Sequence, residues 1–179
     1  AWSRGAEPAA RDVGVAAGCT QIDYAAVVAD SAYAPTGVGA PAVVSNRASY
    51  CLDLRGMALT LDTACSSALV ALDFAASRVA AGQEGLFLAG GANVQLVERW
   101  SRAFAAAGML GPSSRCAFCD DAADGYVRGE GVSFLAVAGA PGACLVAATA
   151  TNQDGRSNGL TAPNPASQHR LIRRARQRA

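Results

Sequence analysis

The sequence predicts an α/β layered fold, and three observations carry that expectation. Short apolar runs alternate with stretches whose apolar residues recur at helical spacing, and clusters of Gly, Pro and Asp separate the two kinds of segment. A content of 51% hydrophobic and 16% charged residues supplies enough apolar surface for a buried core and excludes a disordered chain. At 179 residues, one domain or a piece of one fits the length.

The elements follow in order. The start, AWSRGAEPAARD, has no apolar centre of a signal peptide and no initiator Met, which points to a true start elsewhere. Asp12 to Gly18 reads as a strand running into a turn, Ile22 to Ala32 as a short amphipathic helix, and Thr36 to Pro41 as a loop. Val43 to Leu52 has helical spacing, with Gly56 in a capping position. Met57 to Leu61 is a short uncharged strand. After Asp62-Thr63-Ala64-Cys65-Ser66-Ser67, a helix is expected over Ala68 to Ala81, because Leu69, Leu72, Ala76 and Val79 recur on one face before Gly82. Leu86 to Leu96 reads as a second buried strand with a Gly pair, Glu98 to Ala107 as a helix, and Asp120 to Gly131 as a loop. Val132 to Ala150 carries no charge and is nearly long enough to span a bilayer, yet Ala140-Pro141-Gly142 breaks it; two buried strands, Val132 to Ala138 and Cys144 to Ala150, are expected instead of a membrane span. Asn152 to Pro165 is loop, and His169 to Ala179 begins a basic helix.

Charge excludes some functions. Fifteen basic residues, all Arg, oppose fourteen acidic ones, so no general attraction to nucleic acid or anionic membrane is expected, and chemistry that needs Lys has no residue to perform it. The six cysteines are scattered through a chain long enough to have a core, which predicts free thiols in a reducing compartment.

Cys65 carries the clearest chemistry. It falls between a strand and a helix, where unpaired backbone N–H groups and the positive end of the helix dipole favour a thiolate and supply donors to an oxyanion. The small Ala64, Ser66 and Ser67 leave room for a carbonyl to approach. The alternative is a small buried core residue. The one histidine, His169, lies in the basic run QHRLIRRARQR, where a solvated helix face is expected. Cys116 and Cys119 form a C-x-x-C without a second ligand pair, so neither a zinc site nor a redox pair is supported. No calcium loop, P-loop or G-x-S-x-G is present.

The segment from Asp62 to Leu72, DTACSSALVAL, resembles the active-site segment of β-ketoacyl synthases, in particular the ketosynthase domains of modular polyketide synthases. The resemblance extends to Asn46-Arg47-Ala48-Ser49-Tyr50, to Arg115-Cys116 with the stretch from Asp120 to Gly131, and to the block from Asn152 to Asn164, all in the family's order. It implies a thiolase-like, layered αβαβα fold with the N-terminal half mostly present, residues 1–179 being a partial ketosynthase domain. It also implies a reaction. Cys65 would take an acyl group as a thioester from the phosphopantetheine of an acyl carrier protein, and a malonyl-type extender on carrier protein would then lose carbon dioxide and condense with it. No bound cofactor or metal is implied. Asp154 and Thr161 resemble residues beside the pantetheine channel, the strand from Met57 to Thr63 would pair with its copy in a homodimer, and a cytoplasmic location is expected. The family's two active-site histidines belong to segments this chain lacks, as does the family's N-terminal portion. Cys119 replaces the family's usual Phe. The isolated chain is therefore expected not to condense; the alternative is a short, non-catalytic acyl-binding or dimerisation protein.

Overall fold

The strand β1 (Val13–Gly18) is buried at every residue, which requires neighbours on both edges and cover on both faces. The computed structural model describes residues 11–179; the expected polar start therefore lies largely outside the described residues. β1 pairs in parallel with β2 (Ala58–Leu61) on one side and with β3 (Leu86–Asn93) on the other, and β3 pairs antiparallel with β4 (Gly131–Ala138). The order is β2-β1-β3-β4, a four-stranded mixed sheet with β2 and β4 at its edges.

Alternation along the strands divides the core into two layers of contact. Ala16, Phe87 and Ala89 face Ala71 and Ala75 of α3 (Ser67–Ala80), with Phe74 meeting Phe87 edge to face at 5.9 Å. Val13 and Val15 point the other way, against Leu54 and the side of α2 (Ala42–Leu52) that carries Ala48. Helix, sheet and helix thus form three layers, the part of the expected five that this chain supplies. Small residues dominate the α3 contact: Ala71 and Ala75, one turn apart and fully buried, let the helix lie close on the sheet. Glu84, nearly buried after α3, accepts hydrogen bonds from Arg78 Nε and Nη2, both at 2.9 Å, and ties the helix end to the approach to β3.

Several boundaries differ from the sequence reading. α1 (Asp23–Val28) is shorter than expected, β3 ends at Asn93 because the next residues turn toward α4 (Arg99–Ala106), and a 3-10 turn occupies Ala34–Thr36. α2 is capped by Asp53 in the left-handed conformation (φ 51°), a geometry Asp tolerates, rather than by Gly56. Gly56 meets a different demand: a Cβ there would stand 2.5 Å from the backbone carbon of Val13. β4 forms as expected but is an edge strand with most of its side chains exposed. The expected strand over residues 144–150 does not form. An apolar run becomes a strand only where a neighbouring strand takes its N–H and C=O groups, and no strand lies alongside this one among the described residues, leaving Leu145 87% exposed. The last helix, α5 (Pro165–Arg178), is N-capped by Asn164 and bonds back to its own approach, through Asn152 to Ser167 and Arg178 to Thr149. No helix of the described residues is long and apolar enough to cross a membrane.

Helix and strand backbone meet directly at the end of β1. A Cβ on Gly18 would stand 2.5 Å from the carbonyl carbon of Ser67 and 2.6 Å from the nitrogen of Ala68, so the first turn of α3 rests on the strand with no side chain between them. Gly18→Ala is expected to cost about 2 kcal/mol or more, since backbone on both sides must move; urea denaturation of the two proteins measures it.

Candidate active site

In register, Gly18 of β1 lies beside Leu61 of β2 and Gly91 of β3, so β1 and β2 end level with each other and β3 runs two residues further, to Asn93. In open α/β sheets ligands bind outside such ends. A cavity of about 870 Å³ opens there, lined by Cys65, by Ala68 and Leu72 of α3, by Phe104 of α4, and by Arg128 and Leu135. Its walls are largely apolar, with few charged groups.

Cys65 follows β2 by four residues and stands one residue before Ser66, the N-cap of α3, so the sequence reading of strand, tight turn and helix holds in detail. The cysteine is exposed rather than packed in the core. The turn that presents it is held by side chains. Ala64 adopts φ 55°, a conformation that costs a residue with a Cβ roughly 1 kcal/mol or more and persists only where neighbours enforce it. They do so on both sides: Asp62 Oδ1 accepts from Ala64 N–H at 2.8 Å, and Ala64 C=O accepts from Ser67 N–H at 3.1 Å and from Ser67 Oγ at 2.7 Å. Ser67 Oγ, nearly buried, also accepts from Thr63 N–H at 2.9 Å, and Ser66 Oγ donates to Thr63 C=O at 2.9 Å. The two serines are more than small neighbours of Cys65: their hydroxyls are the braces of the turn, a role signalled by the density of Ser, Thr and Asp around it.

A second cysteine lines the same cavity, a position the sequence reading missed. Cys19 follows β1, and burial, with Asp62 and Asp23 adding negative charge nearby, pushes its thiol above the ordinary range. Cys116 is occupied elsewhere: its sulfur accepts from Val127 N–H at 3.2 Å. Cys119 sits at φ 57° in the neighbouring turn. His169 lies on α5 beside Ile172 and Arg173, outside the cavity. Asp154 and Thr161 do not line the cavity either. Asp154 Oδ2 accepts from Asn164 N–H at 3.1 Å and its C=O from Asn164 Nδ2 at 2.9 Å, which fixes the start of α5, while Thr161 is exposed.

An exposed cysteine stands on a braced turn between strand and helix, over an apolar cavity at the ends of parallel strands, and comparison with known proteins gives the class. The profile of the β-ketoacyl synthase N-terminal domain matches residues 3–141, and the chain belongs to that family. Among curated proteins it is 44% identical over 149 residues to a phenolphthiocerol/phthiocerol polyketide synthase of Mycobacterium tuberculosis, covering 79% of this chain and 10% of that protein. To the highly reducing polyketide synthase ausV of Aspergillus calidoustus it is 39% identical over 170 residues, covering 88% of this chain and 7% of the other. Among solved structures, the oxazolomycin ketosynthase domain OzmH KS7 of Streptomyces albus JA3453 superposes with a TM-score of 0.85 at 31% identity, over 95% of this chain and 32% of that one. The ketosynthase from module 6 of the bacillaene synthase of Bacillus subtilis 168 gives 0.79 at 29% identity, over 93% and 30%. The fold is therefore the thiolase-like fold of ketosynthases, and the chain spans about a third of those solved domains and a tenth or less of the curated synthases.

Two outcomes are expected from this geometry. Ser67→Ala leaves the Thr63 N–H without its acceptor and should lower stability by about 1–3 kcal/mol, read by chemical denaturation. In a pH series of alkylation followed by peptide mass spectrometry, Cys19 should label more slowly than the exposed cysteines at neutral pH. Its labelling should rise only at higher pH, because the thiolate that reacts is the form its surroundings disfavour.

Proposed function

We infer that Cys65 is the acyl-accepting nucleophile of a polyketide-type β-ketoacyl synthase, of which this chain is the cysteine-bearing part. The observation that carries the reading is the braced turn: it presents an exposed thiol beside the start of α3 and over an apolar cavity whose volume suits an acyl-pantetheine arm. The sulfur attacks the thioester carbonyl of an acyl group on carrier-protein phosphopantetheine. The carrier thiol leaves with the proton that Cys65 gives up, and the acyl group stays on Cys65. Backbone N–H at the helix start is the natural donor to the tetrahedral oxyanion.

Condensation asks for more. A malonyl-type extender must lose carbon dioxide, and in the resembling family two active-site histidines serve the enolate that remains before it attacks the acyl-thioester. The only histidine of the chain is on α5, outside the cavity. The chain alone accordingly accepts acyl groups and stops there. The acyl carrier protein is the partner this chemistry requires. A homodimer through the edge strand β2, within the segment from Met57 to Thr63, accords with the outer side of that strand, which pairs with no strand among the described residues. We place this domain part, residues 1–179, in the cytoplasm, where its thiols stay reduced.

Incubation with an acyl N-acetylcysteamine thioester should add one acyl mass to the Cys65 peptide, and Cys65→Ala should abolish the adduct; an adduct that survives the substitution overturns the assignment. Supplied with acyl- and malonyl-carrier proteins, the chain should yield no β-ketoacyl product, checked by mass spectrometry of the carrier-bound species.

A further inference from the structure

The turn at residues 95–97 has hydrogen-bond partners that the acyl-acceptor reading does not use. Its three successive backbone N–H groups are all taken by carboxylates, from two elements distant in the chain. Glu130 Oε1 accepts from Gln95 N–H at 2.6 Å, and one oxygen of Asp23, Oδ2, accepts from Leu96 N–H at 2.9 Å and from Val97 N–H at 3.2 Å. Asp23 is 4% exposed, and its other oxygen has no hydrogen-bond partner among the described residues. A buried carboxylate so placed directs its acceptor capacity at the turn, and bonds from amides to a charged acceptor are stronger than neutral ones.

That turn leads straight into Glu98, the N-cap of α4. On its other side α4 meets the loop that carries Arg128, whose Nη1 donates to Ser101 Oγ at 2.6 Å and whose guanidinium lies 5.3 Å from the centre of the Phe104 ring. Tyr126 packs against the same ring at 6.3 Å. Phe104 is the residue of α4 that lines the cavity with Cys65. How far its ring stands into the cavity therefore depends on where the 95–97 turn is held.

We propose that Asp23 and Glu130 are positioning residues: by clamping the 95–97 turn they set Phe104 in the cavity wall, and so limit the length of acyl chain that reaches Cys65. The limit on acyl length rests on the reading of Cys65 as acyl acceptor; the clamp does not. Two electrophiles with one reactive group, iodoacetamide and N-octyl iodoacetamide, measure access to Cys65 without any enzymatic step. Their relative rates at the Cys65 peptide are read by mass spectrometry on the 179-residue chain and its variants. Asp23→Ala and Glu130→Ala should each change the ratio of long to short reagent by about 5-fold, the effect of losing a hydrogen bond or two at this turn. Phe104→Ala should change it in the same direction. Asp23→Asn and Glu130→Gln keep an acceptor oxygen and should restore the ratio to within about 2-fold of the parent. Should Asp23→Ala not fold, the exposed Glu130 decides through its own pair of variants. An unchanged ratio in the folded alanine variants, or amide variants that behave like alanine, overturns the proposal. Absence of acylation of the parent chain by thioesters, with the alkylation ratios as expected, overturns the acyl-acceptor reading and leaves the clamp standing.

Discussion

The contact between the first turn of α3 and the end of β1 governs the rest of the structure. At Gly18 the helix backbone lies where a side chain would be, so the helix start is fixed against the sheet by backbone surface alone. The turn bearing Cys65 has only the residues between Leu61 and Ser67 in which to pass from β2 to that helix. Ala64 takes up the resulting constraint in its left-handed conformation, and Asp62, Thr63, Ser66 and Ser67 hold it there. Small residues elsewhere serve the same approach: Ala16, Ala71, Ala75 and Ala89 keep the helix close to the sheet, and Phe87 with Phe74 fills the space beside them. Burial of β1 on both faces follows, since α2 must cover the side that α3 does not.

Much of this was legible from residue spacing. β1, α2, α3 and β3 show in the sequence because each has one dominant demand, burial of a face or of a whole strand, and that demand sets a period. The position of Cys65 between strand and helix was legible for the same reason, and the DTACSSALVAL block named the family that the comparison with known proteins bears out. Residues 144–150 misled because composition records apolarity, while a strand also needs a neighbour to pair with. β4 misled in degree: it forms, yet it is an edge whose side chains are mostly exposed.

The least legible parts were individual polar contacts. Asp23 precedes an apolar stretch and reads as an ordinary acidic residue at a helix start; that it is buried against a turn more than seventy residues away is a property of the folded chain only. Cys19 gave no local signal either, because its environment comes from Asp62 and Asp23, brought together by the sheet. Asp154 illustrates the converse. Its sequence block resembles one beside a pantetheine channel, and the bond that its carboxylate accepts from Asn164 N–H at the start of α5 shows only in the folded chain.

The left-handed Ala64 bears on timing. The conformational freedom of the Cys65 segment is given up when the chain folds, through bonds of Asp62, Ser66 and Ser67 that no incoming molecule has to make. A molecule that reaches Cys65 therefore meets a sulfur whose supporting backbone is already ordered, and its binding energy is free to orient its own reacting group rather than to arrange the thiol.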